Sequence, residues 1–386
     1  MKVKIIVICI DPYQKPVVND LFFQDKFLMA GCDFEYWSLS DYFGCNYINE
    51  VDYFDHKVRY FNSIDDVVNA LLREQDFYCD LQIPINKKTY IIYETAVKQS
   101  IKSYRINYLV GSLEVMLNKK SLFQKILYYI NPIKFYRDLM HKLFLEKFKN
   151  SSTNKNLIKF TAPNKRNDSD NIINHIDYEK NLKIKKYETS TDYFLFIDQF
   201  LVGHPDFALR GYKNIDRKHY LECMNKFFNQ LEKKFNKEVI ISAHPKSDYN
   251  EYDFNNRKII KFKTPELSKN ALAVMTHFST AFNFSILNYK PLFLLTMNEF
   301  YNKENKTNLN EYSKIAYNIA KYFDSPIINV NNDIEKITSD SFKIKKHIYD
   351  KYISEYLHSR NDNLTNFEII TKKLNINETF NCHPRI

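Results

Sequence analysis

Short apolar runs alternating with helical stretches constrain this 386-residue chain more than any other feature. In the first half, 2–10, 34–38, 58–61, 90–93 and 107–110 read as strands, and the stretch IDDVVNALLRE of 64–74 reads as a helix between two of them. The second half repeats the pattern at 193–197, 238–243, 258–262, 271–276, 291–296 and 327–330. Helices are expected between these runs at 217–235, 265–269 and 280–287, and a mostly helical tail over 344–374. Strands that alternate with helices argue for parallel sheets in an α/β protein.

Two such halves of similar size imply a GT-B-like architecture: two Rossmann-like domains with parallel sheets facing a central cleft, closed by C-terminal helices. The expected division is 1–185 for the first domain, including a polar linker, 186–340 for the second, and 341–386 for the helical tail. The chain has only 5 glycines, Gly31, Gly44, Gly111, Gly203 and Gly211. They are too scattered for a GxGxxG turn, a P-loop or a kinase Gly-rich loop. Any phosphate must be held by other means.

The net charge of +10 is concentrated. Between residues 118 and 166 there are 12 Lys or Arg against two acids, Asp138 and Glu146, so this window carries the whole excess. Within it, Pro132 suits the first turn of a helix. Ile133, Tyr136, Met140, Leu143 and Phe144 would share one face, and Lys134, Lys142 and Lys149 the other. Such a helix can lie on an anionic membrane or pack on its own domain. No RNP, helix-turn-helix or zinc-finger pattern supports nucleic-acid binding. The six cysteines form no CxxC and no recognisable zinc spacing, and Cys9 reads as a small core residue. No metal and no cofactor beyond a substrate nucleotide are expected. The N-terminal apolar stretch lacks a cleavage site, and no run approaches the length of a membrane span. The expected location is the cytoplasm, with membrane-surface contact through 118–150 left open.

In open α/β sheets ligands bind beyond the carboxyl ends of strands. Three such ends are polar here. The segment IDQFLVGHPDF supplies Asp198, Gln199, His204 and Asp206, ISAHPKSDY supplies His244 and Pro245, and MTHFSTAFNF supplies His277, Ser279 and Thr280. A hydroxyl pair at a helix start is an N-cap, or an anion site served by unpaired N–H groups. Thr264-Pro265-Glu266 opens another helix, with Thr264 expected as N-cap and Glu266 able to accept a hydrogen bond from a donor sugar or base. Asp168-Ser169-Asp170 has DxD spacing but lies in a polar loop. His277 faces the site or packs as a satisfied core histidine.

His244-Pro245, with Ser279-Thr280 about 35 residues later, resembles the bacterial GT-B sialyltransferases. Lys290-Pro291 before an apolar strand also resembles surface-polysaccharide transferases more widely. The resemblance implies that His244, Ser279 and Thr280 hold the phosphate of a CMP-sugar and that an acidic motif supplies the base. That motif maps onto Asp198, followed by Gln199 and Phe200 instead of an acid and a glycine, with Asp206 as the alternative. It implies a metal-independent inverting transferase of surface polysaccharide or lipooligosaccharide synthesis. Such an enzyme passes sialic acid, another nonulosonate or Kdo to a glycan or lipid-linked glycan acceptor. Alternatives are a UDP- or GDP-hexose donor, a CDP-glycerol-type or pyruvyl transfer, and a non-catalytic scaffold that binds lipid or RNA.

Overall fold

A computed structural model describes residues 2–44, 57–108, 116, 132–164, 171–184, 193–203, 215–301, 309–359 and 364–376. Among them are twelve strands in two six-stranded sheets, and every strand pairing is parallel. The first sheet holds β1 (Lys4–Cys9), β2 (Asp33–Ser38), β3 (Val58–Tyr60), β4 (Phe77–Gln82), β5 (Lys102–Asn107) and β6 (Ile158–Thr161), in the order 3-2-1-4-5-6. The second holds β7 (Phe194–Ile197), β8 (Val239–Ser242), β9 (Ile259–Ile260), β10 (Ala273–Thr276), β11 (Leu292–Thr296) and β12 (Ile327–Asn329), in the order 12-11-10-7-8-9. Counted from its own first strand, the second sheet repeats the order of the first. Both are doubly wound, and each reverses direction beside its first strand, between β1 and β4 and between β7 and β10. This is the GT-B-type pair of Rossmann-like domains.

Alternation along each strand explains the two covered faces. Ile5, Val7 and Cys9 of β1 enter one core and Ile6 and Ile8 the other. Phe194 and Phe196 of β7 likewise oppose Leu195 and Ile197. The tail closes both units. Tyr349, Tyr352 and Tyr356 pack with Leu292 and Leu294 of the second sheet. Ile370, Leu374 and Ile376 cross back into the core of the first. The Ile176–Leu182 helix is wedged at the seam, where Asp177 accepts from Asn283 Nδ2 (2.9 Å), Asn181 accepts from Asn288 Nδ2 (2.9 Å), and Lys180 pairs with Asp20 (2.8 Å).

The structure corrects several expectations. Residues 90–93 begin a helix, Tyr90–Lys98, because Ile92, Tyr93 and Ala96 bury one helical face. β5 lies earlier than expected, ending at Asn107. β4 and β6 were not anticipated. Thr264 is not an N-cap: the helix is Thr264–Asn270, and its cap position is Lys263, which makes no side-chain cap bond. The basic helix does start at Pro132. Phe144 and Phe148 set their rings edge-on against Tyr90, and Phe148 also meets Tyr93, which is packing on its own domain. Leu143 on the same helix is half exposed. No described helix is long and apolar enough to cross a membrane.

Candidate functional site

The residues just beyond the strands fall into two groups, one sealed and one open. At the switch point of the second sheet, Asp198 follows β7 and is 2% exposed. Its Oδ2 accepts from the Phe200 N–H (2.8 Å) and its Oδ1 from the Tyr249 hydroxyl (3.4 Å). Burial pushes its carboxyl up to about 7, against these hydrogen bonds. Phe200 sits at φ 53°, a left-handed conformation costly for a bulky residue. Gly203 is demanded there, since a Cβ at that position would lie 2.6 Å from the Phe200 ring. Gln199 Oε1 accepts from Phe278 N–H (2.7 Å), tying the β7 and β10 ends together.

His277 belongs to this sealed group. Its Nδ1 donates to the Leu295 carbonyl (2.9 Å), and Nε2 lies 3.1 Å from the Tyr220 hydroxyl. With Nδ1 protonated, Nε2 is the acceptor. Burial holds its pKa down, to about 4. His277 is a satisfied core histidine. Ser279 caps the short turn Thr280–Phe282 by accepting from Ala281 N–H (3.2 Å).

The open group lies between the domains. A cleft of about 640 Å³ is lined from the first domain by the Lys15–Phe22 helix, at the seam by Lys180 and Lys183, and from the second domain by Pro245, Phe262, Lys263, Thr264, Glu266 and Ala281. Beside it, a pocket of about 180 Å³ brings Asp11, just beyond β1, together with His244, Pro245 and Lys246, just beyond β8. The two sheets therefore present their carboxyl ends to one another. The Asp11 carbonyl is fixed by the Tyr36 hydroxyl (3.0 Å) and Ser38 Oγ (2.9 Å). His244 Nδ1 accepts from the Lys246 N–H (3.1 Å), which makes Nε2 its donating nitrogen. Thr264 Oγ1 bonds Ser242 Oγ (2.7 Å), securing the Thr264–Asn270 helix to the end of β8.

Two features of the cleft are unresolved by the protein's own contacts. Glu266 Oε2 is buried and has no hydrogen-bond partner among the described residues, while Oε1 is 3.5 Å from Lys263 Nζ. An orphaned acceptor costs about 1–3 kcal/mol, more when charged. Phe262 stands at φ 60° with 49% of its surface exposed. Strained bulky residues of this kind gather at ligand sites.

Of the residues singled out from sequence, His244, Pro245, Thr264 and Glu266 line these two pockets, with Ser279 and Thr280 immediately before the lining residue Ala281. Asp198 and His277 do not line them. His204, Asp206, Gly211 and Asp168-Ser169-Asp170 lie outside the described residues, as does all of 118–131. Sequence reasoning missed Asp11 and Phe262, although Asp11 directly follows the expected strand 2–10 and Phe262 ends the expected strand 258–262. It also missed His219, Cys223 and Glu299, whose donor atoms all lie within 4.8 Å of one another.

No protein-family model matches the sequence, and no curated protein does. Solved structures align with it along almost their whole length at low identity. The UDP-GlcNAc 2-epimerase of Methanocaldococcus jannaschii, in complex with UDP-GlcNAc and UDP, is 14% identical over 98% of this chain and 100% of that one, with a TM-score of 0.41. The glycosyltransferase SnogD from Streptomyces nogalater is 8% identical over 97% and 100%, with a TM-score of 0.48. Phytolacca americana UGT2, complexed with UDP-2-fluoro-glucose and pterostilbene, is 11% identical over 98% and 99%, at 0.45.

Proposed function

We propose that this protein is a GT-B-type glycosyltransferase that binds a nucleotide sugar in the interdomain cleft and passes the sugar to a glycan hydroxyl. The observation that carries this reading is the buried Glu266 Oε2, unpartnered among the described residues, in the cleft that the half-exposed Phe262 also lines. An aromatic face stacks a nucleobase. A carboxylate oxygen needs a donor, which the amino group of cytosine, the N–H groups of guanine, the N3–H of uracil or a ribose hydroxyl supplies. CMP is the nucleotide we assign, on the resemblance of His244-Pro245 and Ser279-Thr280 to the CMP-sugar-using sialyltransferases. The cleft lysines Lys180, Lys183 and Lys263, with Lys246 beside them, favour a donor with extra negative charge, as an acidic sugar has.

The chemistry follows from Asp11 and His244 facing one pocket. The acceptor oxygen attacks the anomeric carbon, the bond from that carbon to the phosphate oxygen breaks, and CMP departs with the electron pair. The Asp11 carboxylate takes the acceptor's proton. His244 Nε2–H donates to the departing phosphate, stabilising charge as it develops. An acceptor carried on a membrane lipid would place the basic 118–150 segment at the bilayer surface, and anionic vesicles would then raise turnover.

The test is release of CMP from a CMP-linked acidic sugar. Wild type releases it in the presence of an acceptor, and His244→Ala and Asp11→Asn each slow it about 10²–10⁴-fold. Turnover with UDP- or GDP-hexoses instead would overturn the donor assignment. Undiminished turnover in Asp11→Asn would overturn the base.

A further inference from the structure

We infer that His219, Cys223 and Glu299 form a zinc site, separate from the interdomain cleft. His219 and Cys223 are four residues apart in the Arg217–Phe235 helix, so they share a face. Glu299 lies on the turn Asn298–Tyr301, which follows β11. That turn is anchored by Phe300, which is 1% exposed and packs on His277 with ring centroids 5.2 Å apart. The loop after β12 adds Asn331, whose Nδ2 is 3.5 Å from Cys223 Sγ and whose Oδ1 accepts from the Asn298 N–H (3.0 Å). Two segments distant in sequence thus bring one nitrogen, one sulfur and one carboxylate to a point at the carboxyl edge of the second sheet, with Asn331 of a third beside them.

Distances and chemistry both fit the ion. Cys223 Sγ and His219 Nε2 are 3.6 Å apart. Zinc bonds of ~2.05 Å to nitrogen and ~2.3 Å to sulfur at a tetrahedral angle require a separation of about 3.6 Å. His219 Nε2 now contacts Glu299 Oε1, and a small rotation of the carboxylate opens that pair to the ~3.4 Å a bound ion needs. That contact leaves Glu299 Oε2 buried with no hydrogen-bond partner among the described residues. A simple ion pair does not account for an orphaned carboxylate oxygen, whereas a cation beside it does. Imidazole, thiolate and carboxylate together favour zinc over magnesium or calcium, which take oxygen ligands. Binding releases the thiol proton. His219 is half exposed, so water completes the tetrahedron. The ion would pin the start of the long helix to the β11 and β12 ends.

The experiment uses the full chain, stripped with a chelator and titrated with Zn(II) against a chromophoric competitor and with Co(II) by absorption. One tight equivalent is expected, with a thiolate-to-cobalt charge-transfer band in wild type. Cys223→Ser should abolish the band, and Cys223→Ser and Glu299→Gln should each weaken Zn(II) binding at least about tenfold, the lower bound for even an outer-shell change. His219→Asn, at an exposed position that folding should tolerate, should weaken it likewise. The site is refuted by no tight equivalent in wild type, by a cobalt spectrum without the band, or by equal zinc affinity in all three variants.

Discussion

Two carboxyl edges of the same sheet have been put to opposite uses. At the β7–β10 switch point, where an open α/β sheet usually takes its ligand, aromatic packing closes the crevice. Phe200 and Tyr249 meet edge-on, and Asp198 lies beneath them with its oxygens engaged. At the β8–β9 edge the described residues form no such cover. His244, Phe262 and Glu266 face the first domain across a gap, and a buried carboxylate oxygen there lacks a partner. A polar residue after a strand marks a ligand site only where the following loop leaves it uncovered.

The sharpest way to break this contrast is to remove the two carboxylates of the open side in turn. Asp11→Asn should cut turnover about 10²–10⁴-fold while leaving nucleotide affinity within about twofold, read by steady-state kinetics beside calorimetry. Glu266→Gln removes a charged acceptor worth about 1.5–3 kcal/mol, so nucleotide binding should weaken roughly 10–150-fold. Phe262→Gly should weaken binding about 5–100-fold through lost stacking. The same change should stabilise the ligand-free protein by about 1 kcal/mol, because glycine adopts positive φ without strain. Opposite signs in calorimetry and thermal melting would identify Phe262 as a strained ligand platform; a loss in both would make it structural.

The sealed side predicts a pH effect instead. Folding raises the Asp198 pKa from 3.8 to about 7, so the folded state holds this proton more tightly than the unfolded chain. Stability contributed by this group therefore falls as pH rises from about 4 to about 7. His277 works the other way: its pKa is lowered from 6.5 to about 4, so stability from that group is lost as pH falls across that interval. Asp198→Asn should stabilise the protein at pH 8 relative to pH 5 by on the order of 2 kcal/mol compared with wild type. Melting curves at the two pH values check this, and an Asn variant that loses stability at pH 8 would return Asp198 to a charged, working role.

Much of the scaffold was legible because strands such as KIIVIC and FLFI are continuous apolar runs buried on both faces. The exceptions have physical causes. YIIY of 90–93 has strand-like composition, yet helical spacing of its buried residues with Ala96 decides the matter. β4 hides an acid, Asp80, whose pKa burial pushes up to about 8, and that residue broke the apolar run. The site was half legible. His244 and Glu266 could be found by their position after a strand, and the same rule applied to β1 would have found Asp11. The enclosure of Asp198 depends on Tyr249, 51 residues away, and the approach of Glu299 to His219 spans 80 residues. No local pattern encodes either contact, though the i, i+4 spacing of His219 and Cys223 was visible.

The most direct test of the open-cleft assignment is isothermal calorimetry of CMP, CDP, UDP and GDP with three proteins: wild type, Glu266→Ala and Asp198→Asn. CMP should bind wild type and Asp198→Asn alike and bind Glu266→Ala at least about tenfold more weakly. Nucleotide affinity lost in Asp198→Asn and kept in Glu266→Ala would contradict it and move the site to the switch point.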